Sequence, residues 1–287
     1  MLTIFGYQIT RYRGQILGWG LALALLGIYV IAFYDTAAAQ SEQVLALMES
    51  LPPEMMALFG GAADFLSPSG YLETYVFSYF PLLLGIYAAL AGSGLLAADE
   101  ENGTLDLLMA YPVSRFRLLS GRLLALALAL VLILGLTWLG FIIPLRTSSI
   151  EVTAPQLGPA FLSLLSVTLV YAAFGLLLSM LLPSRQLAAS GGALLVVADY
   201  LINALANINP DLENIARLLP QGYYQGGAAV LDPNWGWTAG LLGAAALLAL
   251  LSAALFQRRD IRVGGEGGWQ LPGWLARRAS SSRRATP

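Results

Sequence analysis

The residues of this chain that could do chemistry are carboxylates, hydroxyls and arginines. The sequence has no His and no Cys, and its fifteen basic residues are all Arg, so Lys is absent too. Without imidazole or thiolate there is no Ser-His-Asp triad, no Cys/His zinc site and no haem ligation. Without Lys the G-x-x-x-x-G-K-[ST] loop cannot be written, so this chain carries no P-loop ATPase site. An aspartyl mechanism needs two carboxyls in one site. Asp199 is the only acidic residue the hydropathy pattern places inside a long apolar run, with Asn203 one helical turn later. A charge there costs at least ~2.5–3.5 kcal/mol on insertion scales, so Asp199 must face protein or a wet cavity. Either it lines a route across a membrane, or it hydrogen-bonds a neighbouring helix near the far interface. Tyr71, Tyr75 and Tyr79 recur at four-residue intervals, with Phe80 and Tyr87 beyond. They read either as an interfacial aromatic belt or as a stacking surface in which Tyr75 and Tyr79 face a path for an amphipathic substrate.

The elements that position these residues are membrane helices. Hydrophobic residues make up 57% of the 287 and charged residues 11%, against about 25% charged in a soluble domain. A spanning helix needs roughly 20 apolar residues. Six stretches qualify: 15–34, 75–98, 118–143, 159–182, 187–206 and 237–256. The expected fold is an all-α integral membrane domain over 15–256. Ahead of it, residues 1–14 read as a helix lying in the interface. Leu2, Phe5, Ile9 and Tyr12 share one face there, while Tyr7 and Arg11 point away. The first apolar stretch is too long for a cleavable signal, and no small-residue cleavage site follows it. Six crossings put both termini on one side, and thirteen of the fifteen Arg fall there. The positive-inside rule makes that side cytoplasmic, in the cell (inner) membrane.

The first outer loop, 35–74, is purely acidic. A short amphipathic helix through Val44, Leu45, Leu47, Met48 and Leu51 is expected in it, ended by Pro52-Pro53. In the last outer loop, 207–236, a stripe of Leu212, Ile215, Ala216 and Leu219 runs up to Pro220. It is either a re-entrant or surface-lying element shielding the outer mouth, or a plain amphipathic loop. Residues 257–287 read as a polar cytoplasmic tail, flexible or resting Trp269, Trp274 and its Arg residues on anionic lipid. Gly135 and Gly140, and Gly191 with Gly192, are expected at close helix contacts.

Between the second and third spans stands DEENGTLDLLMAYPVSRFR, residues 99–117. It begins acidic, turns through Gly103 and Pro112, and ends basic. Thr104 can cap a short helix whose Asp106 suits the positive helix end. Leu105, Leu108 and Met109 fall on one face at i, i+3 and i+4. Pro112 ends the element, and Ser114 can cap the next span. The pattern predicts a short helix held across the membrane surface, offering Leu and Met to a partner.

Residues Glu100 to Arg115 resemble the E-E-x-G-T-L-x-x-L-L-x-x-P-V-S-R signature of ABC-2-type transporter permeases. The six spans, the long first outer loop and Pro220-Gln221-Gly222-Tyr223-Tyr224 before the last span resemble that family more loosely. The resemblance implies a permease subunit of a bacterial ABC exporter, with Glu100, Glu101, Gly103, Thr104, Leu105, Leu108, Pro112, Ser114 and Arg115 in its ATPase-coupling element. It also implies a separate cytoplasmic P-loop ATPase that binds ATP and Mg, and a second permease copy, either identical or a paired relative. No cofactor, metal or nucleic acid is expected on this chain. The family builds its path mainly from the second and fifth spans, which would put Tyr75, Tyr79, Asp199 and Asn203 along it. A secondary transporter is the alternative, disfavoured by one intramembrane Asp with no basic partner within a span and by the lack of a repeat. A non-transporting membrane assembly protein is not excluded by the signature.

Overall fold

The computed structural model describes residues 2–40, 52, 55, 67–111, 113–206 and 208–258. The expected helix around Val44–Leu51, Pro112 and nearly all of the tail lie outside the described residues. All regular structure among the described residues is helical. Six helices are long and apolar enough to cross a membrane.

The first is α1, Leu2–Ala39, an unbroken run of 38 residues. At 1.5 Å per residue it is about 57 Å long, well beyond the ~30 Å hydrocarbon core. The segment expected as a separate interfacial helix is therefore the opening of this one helix. Its apolar face is not turned outward: Tyr12 is buried, and Phe5 and Ile9 pack against the core. The same stripe continues through Ile16, Leu23 and Val30, at the spacings a helix repeats.

The second span starts earlier than the hydropathy pattern gave. It runs through α2, Pro68–Leu72, a π-helical turn, Glu73–Phe77, and α3, Phe80–Glu101. Ser67 caps its start by accepting from the Gly70 N–H at 3.0 Å. Helix α4 is Thr104–Met109. The third span is α5, Arg115–Ile142, followed by a 3₁₀ turn over Ile143–Arg146. The fourth is α6, Ala154–Leu181, opened by a capping box between Thr153 and Gln156. The fifth is α7, Arg185–Ala206, and the sixth is α9, Trp235–Arg258. Between those two lie a 3₁₀ turn, Pro210–Leu212, helix α8, Glu213–Ala216, and 3₁₀ turns over Pro220–Tyr223 and Gly226–Val230.

The fourth span is the centre of the bundle, with the second and sixth packed along it. The first span packs on the third, and the fifth on the second. The second and fourth spans meet backbone to backbone. A Cβ on Gly92 would run into the Ala172 carbonyl, and one on Gly175 into that of Ala89. Such small-residue crossings replace the hydrophobic drive that lipid cannot supply. Gly140 makes a like contact with Ala24, whereas Gly135, expected to pack, faces open space.

Candidate functional site

The signature block sits where both described ends of the chain meet, so this end of the bundle is called the signature end. The second span stops at Glu101, and Gly103 takes φ +66°, the left-handed turn that a helix end uses and only glycine adopts without strain. Thr104 does not cap α4 from outside: it is the first residue of that helix, and its hydroxyl donates back to the Asp99 carbonyl at 3.3 Å. Ser114 does cap the third span, accepting from the Arg117 N–H at 3.3 Å.

Three sets of charged contacts fasten the block to other helices. Arg122 of the third span pairs with Asp99 and donates to the Leu95 carbonyl at 2.6 Å. Arg11 of the first span reaches the other Asp99 oxygen at 3.8 Å. Asp99 and Arg122 are both buried, where an ion pair persists only with its remaining hydrogen bonds satisfied. Glu101 accepts the Arg185 backbone N–H at 3.0 Å, placing a carboxylate on the positive end of the fifth span. Arg115 donates to the Phe256 carbonyl at 3.1 Å and lies 5.7 Å over that ring, a cation at the last turn of the sixth span. One short element is thus tied to spans one, two, three, five and six.

The apolar face of α4 is split. Leu105 is 1% exposed and anchors the helix on the bundle. It therefore leaves the outward face on which it was expected beside Leu108. Met109 is partly buried against the core. Leu108 at 39%, Tyr111 at 70% and Phe116 at 55% are large apolar side chains that face away. Glu100 is buried. Arg122 and Asp99 were not singled out by the signature. Their signal was a charged pair flanking two spans, which sequence spacing alone does not join.

At the opposite end, Asp199 is 1% exposed. It accepts from the Tyr171 hydroxyl at 2.7 Å, the Asn203 amide at 2.7 Å and the Gln221 backbone N–H at 3.1 Å. Asp199 and Asn203 are therefore brought together as the spacing implied, with a fourth-span tyrosine added. The three tyrosines differ in burial. Tyr71 is buried and donates to the Val30 carbonyl at 2.8 Å. Tyr75 and Tyr79 are half-buried, Tyr75 with its ring 4.7 Å from that of Tyr71 and Tyr79 near Tyr200.

Glu73, counted as a loop residue by hydropathy, belongs to the π-helical turn and so to the second span. It is a second acidic group there beside Asp199. Its carboxylate accepts from the Ser78 hydroxyl at 3.2 Å and from the Gly227 N–H. Gln225 completes the junction: its N–H donates to Ser163 Oγ at 3.1 Å, and its amide joins the Asn234 carbonyl and Thr238. Among the described residues no group of acidic side chains is placed to hold a metal ion. What the arrangement offers is mechanical, with charged contacts tying each end of the bundle together.

Residues 10–261 match the family model described as ABC-2 family transporter protein. No curated protein matches the chain.

Proposed function

The chain belongs to the ABC-2 transporter family, and we propose that it works as the permease subunit of an ATP-driven exporter. In this reading it docks a separate cytoplasmic P-loop ATPase, which carries the ATP and Mg, and forms the path with a second permease copy. The observation that carries the docking reading is the trio Leu108, Tyr111 and Phe116, exposed at a polar end of the bundle on an element whose base is tied to five spans. Exposed apolar clusters outside the lipid zone are surfaces a partner covers. A push on that element would reach every span it is pinned to.

Six candidate spans are half of the twelve-span core that the family resemblance implies, which supports a dimer, with two identical copies favoured. The fifth span exposes Leu187, Leu194 and Leu201 at seven-residue intervals, a row that a second helix can follow. The path is assigned to the second and fifth spans. Tyr75 and Tyr79 face it, and Asp199 and Asn203 stand at its far end. The Arg bias supports both termini, and with them the signature end, lying in the cytoplasm.

The test is co-expression with the P-loop ATPase encoded nearest to this gene. Leu108→Asp should leave the six helices inserted, reduce co-purification of the ATPase and lower ATP hydrolysis by the complex. Unchanged co-purification and hydrolysis in both Leu108→Asp and Tyr111→Asp would remove the docking assignment.

A further inference from the structure

Two carboxylates from different spans, Asp199 buried and Glu73 half-buried, hold the same short segment. Asp199 of the fifth span accepts the N–H of Gln221, and Glu73 of the second accepts that of Gly227. Between these points, Tyr224 donates to the Phe77 carbonyl at 3.0 Å and Gln225 donates to Ser163 of the fourth span. We infer that residues 220–230 form one strap that lifts as a unit, and that Glu73 and Asp199 are its two latch residues.

The hydrogen-bond inventory separates a latch from a permanent joint. A buried carboxylate that loses every donor bears the full cost of an unpaired charge. Neither carboxylate would. With the strap lifted, Glu73 keeps Ser78, and Asp199 keeps Tyr171 and Asn203, all donors from the spans themselves. The strap's own N–H groups at 221, 225 and 227 would turn to water. Both carboxylates are thus satisfied in either state, and the main polar cost of lifting is the Phe77 carbonyl, which gives up the Tyr224 hydroxyl.

The strap's backbone is fitted to the closed state. Gly226 sits at φ +52°, and a Cβ on Gly226 would strike the Glu73 carboxylate, while one on Gly227 would strike the Ser69 carbonyl. Gly222 packs on the Ala216 carbonyl in the same way. These glycines let the main chain approach closely enough for its N–H groups to reach the carboxylates. That the strap closes the transport route rests on the permease reading above. The latch does not, and its test uses neither ATP nor the ATPase.

The chain has no Cys, so single cysteines report cleanly. Ala229 lies at the Glu73 end of the strap and Ala216 beneath its Asp199 end, and both are buried. Ala125, buried in the third span, is the control. Each is replaced by Cys in the full chain in nanodiscs, and the rate of reaction with N-ethylmaleimide is measured. Glu73→Ala and Asp199→Ala should each raise labelling at both 229 and 216 by about tenfold, from the loss of one charge-assisted bond, with the control unchanged. Glu73→Gln and Asp199→Asn keep an acceptor and should show the same two-site pattern at about threefold. They serve where the alanine variants fail to assemble. A rise confined to the site beside the substituted carboxylate, no rise at either site, or an equal rise at the control overturns the latch.

Discussion

The Tyr224 hydroxyl donates to the Phe77 carbonyl at 3.0 Å, across 147 residues of sequence. That carbonyl is available because Pro81, four residues further on, has no N–H to give it. A helix break in the second span thus becomes a docking point for the segment before the sixth. Burial, with the nearby Glu73 charge, pushes the Tyr224 hydroxyl well above the usual tyrosine range. It remains a donor throughout the working pH range. Tyr224→Phe should cost about 1 kcal/mol. Pro81→Ala would supply the missing helical donor, so the double variant should fall short of the sum of the two. Melting temperatures of the four proteins in detergent measure that coupling.

The Asp99–Arg122 pair should be the most sensitive charged contact at the signature end. Removing one member leaves a buried charge unpaired, which costs about 3–5 kcal/mol. Arg122→Ala and Asp99→Ala should each lower the melting temperature sharply. Asp99→Leu combined with Arg122→Leu should recover part of the loss. A double variant as unstable as the sum of the singles would count against the pair acting as a unit.

Leu105 and Leu108 should separate stability from docking. Leu105→Ala removes a buried side chain and should cost about 2–3 kcal/mol in thermal stability. Leu108→Ala should leave stability within about 0.5 kcal/mol, since its side chain is partly exposed. Equal losses from both would show that the two side chains share one environment.

Asp199→Asn keeps an acceptor for Tyr171 and Gln221. Asp199→Leu removes the carboxylate acceptor of both, at about 1–3 kcal/mol for each buried group stranded, while Asn203 keeps the backbone carbonyl of residue 199. Stability should therefore hold in Asn and fall in Leu. If the carboxylate also meets a cationic substrate on the path, Asp199→Asn should reduce substrate-stimulated ATP hydrolysis for cations and spare neutral compounds. Reconstituted complex distinguishes the two effects.

A cysteine at Leu194 should cross-link two copies of the chain under mild oxidation, while one at Leu247, exposed on the sixth span, should not. For orientation, an impermeant thiol reagent on intact cells should label Asn234→Cys and spare Ser114→Cys. The reverse pattern would invert the topology.

The sequence alone determined the class of protein, the six apolar helices and the place of the signature block. These follow from composition, from the 3.6-residue repeat and from signals acting within a turn, such as Gly103 ending the second span and Ser114 opening the third. Tertiary structure decided everything that depends on which distant residue a side chain meets. Leu105 and Leu108 look equivalent by spacing, and only packing buries one and exposes the other. Glu73 reads as a loop acid because it is charged and lies beside turn residues. It enters the second span because a glycine N–H 154 positions later supplies its hydrogen bond. Arg115 reads as a flanking positive charge until the end of the sixth span, 141 residues away, is folded against it. A charge in or near a membrane is tolerated only with its partners in place. Those partners come from separate helices, so no local pattern could reveal them.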